Sequence, residues 1–290
     1  EKIIAYAREN KLNLLEFGSS AKSGALIRSD AGTVVLNKDL TIGATGKQNV
    51  ALQSGKSGTV TLAAGKTITS TSSDEFFGMT AGDFKGSSGA SIVNKGTLNI
   101  AGNKSLGMAV ATGNNGKLET TGVINFTGTN GAAIYNKGTF SNEGTIKISG
   151  LGNSGIYNST GGILSLDGAT IIGNSGSTGI YADDGKITAS TSSTIKIDDT
   201  GISKGVAVYS TKTADIDLDK SIITVKNGAA GVVSTGSNTL KLTNTKIEYD
   251  GDGYAVYTSG SGKVDLSNAT LTLKGKAVGF SDTTKVTGLQ

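Results

Sequence analysis

A short motif returns along this chain at a nearly constant spacing. Its clearest copy is Gly-Ala-Ala-Ile-Tyr-Asn at residues 131–136, and the tyrosine recurs at positions 157, 181, 209 and 257. Successive steps are 22, 24, 28 and twice 24 residues, with Val233 in place of one tyrosine. Repeats of this length are typical of solenoids. The period constrains the fold strongly, because a solenoid grows along one axis and each turn contacts only its neighbours.

The composition narrows the possible functions. Glycine supplies 44 of the 290 residues and proline none, which favours short strands joined by tight turns. Cysteine and histidine are absent, so the chain has no disulfide or zinc–thiolate site and lacks the most frequent general base and metal ligand. The net charge of +4 is scattered through the turns, so we do not expect nucleic acid as a partner.

Each repeat contains three short segments in which apolar and polar residues alternate, a pattern typical of β-strands. In the second and third segments the apolar residues lie two apart, as in Val60 and Leu62 or Ile146 and Ile148, so both face one side of the strand. The first segment carries an aliphatic residue just before the tyrosine position, which we assign to the core. Its members are Ile27, Leu52, Val110, Ile134, Ile156, Ile180, Val208, Val232, Val256 and Val278.

These patterns predict an all-β fold. It is a right-handed parallel β-helix, a single-stranded solenoid with three strands per turn and about eleven turns, stacked at about 4.8 Å. Residues 1–290 form one β-helical segment. We expect it to be cut from a longer protein, because the first residues resemble a repeat already in progress.

Two places interrupt the period. We predict an inserted loop over residues 69–90 and an extended turn over residues 198–204. Insertions in solenoids often lie on the binding face, and an exposed apolar cluster is a candidate contact site. Phe76, Phe77, Met79 and Phe84 of the predicted loop are therefore candidate ligand-binding residues. The alternative is that Phe76 or Phe77 enters the core in an irregular first strand while Phe84 packs on the outside.

The tyrosine column supplies the second set of candidate ligand-binding residues, Tyr135, Tyr157, Tyr181 and Tyr209. We expect this column to face outwards, because in other turns its positions hold residues such as Arg28, Gln53, Ala111 and Gly279. Such a stripe could bind sugars or a peptide, since tyrosine offers a large rigid contact area with a polar tip. Alternatively the rings stack on each other and serve the scaffold. Recurrence at successive turns favours the scaffold interpretation.

Carboxylate pairs are the remaining candidates for chemistry. They are Asp183 with Asp184, Asp198 with Asp199, and Asp250 with Asp252. Two carboxylates on successive turns could approach within glycosidase range, but adjacent acidic residues in turns are more often turn formers. We therefore predict a chain that is not an enzyme, with no catalytic residues, no metal site and no cofactor.

Three stretches carry a resemblance to a known family. Residues 93–100 (Val-Asn-Lys-Gly-Thr-Leu-Asn-Ile), residues 135–139 and residues 142–150 (Asn-Glu-Gly-Thr-Ile-Lys-Ile-Ser-Gly) resemble the N-x-G-T-I-x-I-x-G turns of type V autotransporter passengers. With the Gly-Ile-Tyr element, the chain most resembles the very large autotransporter adhesins of fusobacteria. The resemblance covers almost the whole chain but lies at the level of the repeat.

The resemblance implies a cell-surface adhesin that contributes to virulence and leaves the cell by type V secretion. Such passengers are β-helical rods on the bacterial outer membrane or released from it. They meet the membrane only through a C-terminal barrel, which lies outside this segment. The implied partners are a host-cell receptor or glycan, or a partner bacterial surface, and we expect a monomer. The alternatives are a polysaccharide-degrading β-helix enzyme and a passive stalk that presents a distal binding head.

Overall fold

The computed structural model describes residues 14–15, 24–43, 46–70, 74–82 and 89–289. In this part the chain runs through 33 β-strands and one short 3₁₀ turn, Thr283–Lys285. The strands form three eleven-stranded sheets, and each strand pairs in parallel with the strand three places further along the chain. This connectivity is a parallel β-helix with three strands per turn, so the predicted fold is confirmed.

We name the sheets in the order in which the chain visits them within one turn. The first sheet contains β2 (Ala25–Ser29), β5 (Val50–Ser54), β8 (Phe77–Ala81), β11 (Leu106–Val110), β14 (Ala132–Asn136), β17 (Ser154–Asn158), β20 (Thr178–Ala182), β23 (Val206–Ser210), β26 (Ala230–Ser234), β29 (Tyr254–Thr258) and β32 (Val278–Phe280). The second sheet contains β3 (Thr33–Leu36), β6 (Thr59–Leu62), β9 (Ser91–Asn94), β12 (Leu118–Thr120), β15 (Thr139–Asn142), β18 (Ile163–Asp167), β21 (Lys186–Thr191), β24 (Asp215–Asp217), β27 (Leu240–Lys241), β30 (Val264–Asp265) and β33 (Val286–Thr287). The third sheet contains β1 (Leu14–Leu15), β4 (Leu40–Ile42), β7 (Thr67–Ser70), β10 (Thr97–Ile100), β13 (Val123–Phe126), β16 (Thr145–Ser149), β19 (Thr170–Asn174), β22 (Thr194–Asp198), β25 (Ile222–Lys226), β28 (Lys246–Gly251) and β31 (Thr270–Gly275).

The core is a column of aliphatic side chains enclosed by the three sheets. Ile134, Ile156 and Ile180 stack in register and are completely buried. The predicted register is wrong at two turns, however, where Met108 rather than Val110 pairs with Ile134, and Phe280 rather than Val278 pairs with Val256. The same two-residue error placed Ala111 and Gly279 in the tyrosine column. Alternation could not detect it near β11, because Met108 and Val110 are both buried.

Residues 69–90 do not form one inserted loop. β7 continues to Ser70, and β8 (Phe77–Ala81) pairs with β5 and β11 as a regular strand of the first sheet. Phe76 and Met79 are completely buried in the core, so the alternative in which Phe76 enters the core is correct, although the strand that follows it is regular. Residues 71–73 and 83–88, which include Phe84, lie outside the described part.

Buried polar side chains hold the corners where the third sheet leads into the first. Each accepts a hydrogen bond from a backbone N–H of the preceding turn, which satisfies a donor that burial would otherwise leave unpaired. The pairs are Gly24 with Asn49 at 2.9 Å, Phe76 with Ser105 at 3.1 Å, Gly131 with Asn153 at 3.0 Å, and Gly176 with Asp199 at 3.0 Å. These bonds fix successive turns relative to one another along the edge of the first sheet.

In strands of the first sheet, inward-facing and outward-facing side chains do not alternate strictly. This departure determines the shape of the sheet's outer face. In β14, Ala133 and Ile134 are both buried in the core, and the strand pairs through Ala132, Ile134 and Tyr135 but not through residue 133. The extra inward position holds a small residue, Ala133, and the next turn holds Gly155. Ala132 and Tyr135, which line the outer face, are therefore three residues apart instead of two. A gap opens between their two columns.

Candidate functional site

Four tyrosines form a continuous ridge on the outer face of the first sheet. The rings of Tyr135, Tyr157, Tyr181 and Tyr209 stack with centroids 5.3, 5.0 and 5.1 Å apart and interplanar angles of 25°, 19° and 11°. Their spacing follows from the parallel register, which places equivalent residues on neighbouring strands. The faces of the inner rings are occupied by neighbouring rings. The ridge therefore presents ring edges and hydroxyl groups to a partner.

The phenols of the two central tyrosines, Tyr157 and Tyr181, stay neutral over the physiological range because their pKa values are raised. Burial, followed by the charge of Asp183, raises the pKa of Tyr157 to about 12. Burial also raises the pKa of Tyr181, with Tyr209 as the second cause. A neutral phenol both donates and accepts a hydrogen bond. Tyr157 and Tyr181 therefore combine an apolar ring with an uncharged polar tip at the centre of the ridge.

An open groove of about 480 Å³ lies beside the ridge. Its wall is formed by Tyr135, Tyr157 and Tyr181. Its floor is the neighbouring outward column, Leu106, Ala132, Ser154 and Thr178, which lies in register along four strands. Phe77 closes one end, and Lys104, Asn130 and Gly152 line the opposite rim. Small floor residues next to large wall residues are what give the groove its depth.

Charged groups flank the other side of the ridge. The Lys137 ammonium lies 5.7 Å from the centre of the Tyr135 ring, a cation–π geometry. Further along, the Lys212 ammonium forms a 2.8 Å ion pair with Asp183. Asp184 accepts a 2.8 Å hydrogen bond from Thr213, which is the main reason that its pKa is lowered. Asp183, Asp184 and Lys212 together leave this corner with one net negative charge.

The structure separates the eight predicted ligand-binding residues into three groups. Tyr135, Tyr157 and Tyr181 line the groove together with Phe77, and Tyr209 extends the ridge by one turn. Phe76 and Met79 belong to the interior and are not available to a ligand. Phe84 lies outside the described residues. Binding by the surface members stays a prediction.

Sequence reasoning missed the floor of the groove. Ala132, Ser154 and Thr178 each lie three residues before a ridge tyrosine, a spacing that is visible in the repeat. The sequence pattern does not distinguish them, because small residues in an alternating strand resemble ordinary solvent-facing positions. Only the pairing register shows that they form one column beside the rings.

The longer turn between β22 and β23 presents a second surface feature. Asp199 is completely buried, and its carboxylate accepts hydrogen bonds from the backbone N–H groups of Gly176 and Gly205 at 3.0 and 2.6 Å. At the tip of the same turn the Ile202 side chain is fully exposed. Beside the turn lies a polar cleft of about 410 Å³, whose lining includes Lys204 and Asp252.

The carboxylates that the sequence suggested as acid–base pairs are engaged in local contacts. Asp183 and Asp252 form ion pairs with Lys212 and Lys204 at 2.8 and 2.7 Å. Asp199 caps backbone N–H groups, as described above. Among the described residues, no three acidic side chains come together as a metal site.

The fold and this face define a parallel β-solenoid with an aromatic ridge and groove on one of its three sides. No helix of the described part is long and apolar enough to cross a membrane. The chain has no significant match to a protein-family model, to a curated protein or to a solved structure.

Proposed function

We propose that this chain is a non-enzymatic contact segment of a bacterial cell-surface adhesin, exported as an autotransporter passenger, and that its first sheet makes the contact. The observation that carries the proposal is the ridge of Tyr135, Tyr157, Tyr181 and Tyr209 beside a groove of about 480 Å³. Exposed aromatic residues next to a pocket are the usual centre of protein-recognition surfaces. A rod built of stacked turns would hold such a face away from the cell.

Attachment of beads coated with the chain to cultured epithelial cells and to partner bacteria tests the proposal. The double variant Tyr157→Ala/Tyr181→Ala removes two rings from the groove wall, and we expect attachment to fall by about tenfold. The matched control, Tyr254→Ala/Tyr257→Ala, removes two rings of the same sheet that lie outside the groove. The control should attach like the parent chain.

The same experiment separates the alternatives. Absence of attachment by the parent chain would identify the segment as a stalk. Equal loss in both double variants would show that general surface hydrophobicity, and not the groove, causes attachment. Incubation with anionic and galactose-type glycans tests the enzymatic alternative, since new reducing or unsaturated ends would contradict a purely adhesive role.

A further inference from the structure

We infer that the tyrosine ridge is a site of oxidative modification, at which neighbouring phenol rings couple covalently into dityrosine cross-links. The reactant is a one-electron oxidant of the kind that a haem peroxidase generates from hydrogen peroxide. The cross-links join successive turns of the solenoid in a chain that has no cysteine for disulfides. This modification needs no bound ligand and does not depend on the proposed function.

The composition of the chain directs oxidation to tyrosine. Cysteine, tryptophan and histidine, which react with many oxidants, are all absent. The two methionines, Met79 and Met108, are completely buried in the core, and burial protects a side chain from an oxidant in solution. Tyrosine is therefore the side chain that such an oxidant meets first.

The parallel register holds four phenol rings next to one another. Tyr135, Tyr157, Tyr181 and Tyr209 are paired on four consecutive strands of the first sheet, and each is partly exposed. Their ring centres are 5.3, 5.0 and 5.1 Å apart, and the planes of Tyr181 and Tyr209 differ by only 11°. Because the backbones of paired residues are held about 4.8 Å apart, two neighbouring rings can meet by side-chain rotation without a change of fold.

The other described tyrosines are less suited to joining turns. Tyr249 is completely buried, and its hydroxyl donates a 3.0 Å hydrogen bond to the Gly228 carbonyl. Tyr254 and Tyr257 are more exposed than the ridge, at 37% and 39%, but their rings are 5.9 Å apart and tilted by 50°. They also lie in one strand, so a bond between them connects no two turns. Exposure and geometry therefore favour different tyrosines, and experiment can separate the two.

The coupling removes two hydrogen atoms from each pair of tyrosines. Each of two neighbouring phenols gives one electron to the oxidant and one proton to water, which leaves two phenoxyl radicals. Their unpaired electrons form a carbon–carbon bond between the ring carbons next to the oxygens. The hydrogens on those carbons then move through water to the oxygens, which restores both aromatic rings and both hydroxyl groups. One molecule of hydrogen peroxide takes up the two electrons and two protons and becomes two molecules of water.

A bond between neighbouring turns should act on stability as a disulfide does. It closes a loop of 22, 24 or 28 residues between adjacent ridge tyrosines, and so restricts the unfolded chain. Solenoid turns interact mainly with their neighbours, so the effect should be greatest in the turns that carry the ridge.

Oxidation of the purified full chain, at low concentration, by a haem peroxidase and hydrogen peroxide tests the inference. We expect dityrosine fluorescence and a chain mass lower by two hydrogen atoms for each cross-link. The variant Tyr157→Phe/Tyr209→Phe keeps every ring of the stack but leaves no two ridge phenols on adjacent turns, so it should lose the ridge cross-links. The matched control, Tyr254→Phe/Tyr257→Phe, removes the two more exposed phenols and should cross-link at the ridge like the parent chain.

Peptide mapping locates the new bonds. Asp167 lies between Tyr157 and Tyr181, so cleavage before aspartate separates these two tyrosines unless they are cross-linked. Cross-links only between Tyr254 and Tyr257, or only between separate chains, would overturn the inference. So would a parent chain that stays unmodified, or a Tyr157→Phe/Tyr209→Phe variant that gives as much dityrosine as the parent.

Urea unfolding of the oxidised chains provides the second measurement. The midpoint of the parent chain should rise on oxidation, whereas that of Tyr157→Phe/Tyr209→Phe should stay the same. An unchanged midpoint in a cross-linked parent chain would contradict the inferred connection of successive turns.

Discussion

Ile156→Asp should prevent the central turns of the solenoid from folding, while Tyr157→Asp should leave them folded. The two residues are neighbours in β17, but Ile156 is completely buried and Tyr157 lies on the outer face. Replacing Ile156 leaves a cavity and places a carboxyl group in an apolar column. Together these should lower the free energy of unfolding by about 5 kcal/mol or more. Tyr157→Asp removes two stacking contacts and should cost about 1–3 kcal/mol.

Urea unfolding followed by far-ultraviolet circular dichroism measures the difference. Because solenoid turns interact mainly with their neighbours, limited proteolysis should accompany it and locate any local opening near residue 156. If Tyr157→Asp were the more damaging change, the faces of the strand would be reversed. A shift of one residue in the register would produce that result.

Asp199→Ala should have the second-largest effect. The Asp199 carboxylate is completely buried and accepts backbone hydrogen bonds from Gly176 and Gly205, which belong to successive turns. Its removal leaves two buried donors unpaired, and we expect the free energy of unfolding to fall by about 4 kcal/mol. Asp199→Asn keeps one acceptor and should cost about half as much.

The matched control for this prediction is the preceding residue. Asp198 is partly exposed and its carboxylate lies 3.9 Å from the Lys196 ammonium, so Asp198→Ala should change stability by less than about 0.5 kcal/mol. The same urea titration compares the variants. Equal destabilisation by Asp198→Ala and Asp199→Ala would show that the buried hydrogen bonds do not hold the turn.

The repeat was sufficient to predict the solenoid and the ridge. Tyrosines at positions 135, 157, 181 and 209 mark one strand position in four consecutive turns, and the structure pairs them in register. Both expectations for this column hold, since the rings lie on the outer face and stack on each other. A bulky residue that recurs once per turn gives an unambiguous register.

The sequence did not predict strand register and burial correctly in the turns that lack a tyrosine. Near β11 there is no tyrosine, and Met108 and Val110 satisfy the same inward pattern, so alternation allows two registers. Between β7 and β9 the adjacent Phe76 and Phe77 suggested an exposed cluster. In the structure, Phe76 is buried in the core, whereas Phe77 lies at one end of the groove. Neighbouring residues of a strand take opposite faces, which the inserted-loop interpretation ignored.

The groove could not be predicted from composition or period. It exists because Ala133 and Ile134 both turn inwards, which separates the outward columns of Ala132 and Tyr135. That departure from alternation is a property of the backbone, and a small residue at position 133 only permits it. The floor residues Leu106, Ala132, Ser154 and Thr178 are uncharged, so no charged or catalytic motif marks the floor in the sequence.

Protection of single cysteines from alkylation tests most directly whether the first sheet is the contact surface. The chain has no cysteine of its own, so each variant carries one reporter. Thr178→Cys in the groove floor, Thr188→Cys on β21 and Lys196→Cys on β22 place reporters on the three sides of one turn. Binding to fixed epithelial cells or partner bacteria should slow alkylation at position 178 and leave positions 188 and 196 unchanged. Slower alkylation at 188 or 196 with an unchanged rate at 178 would contradict the account.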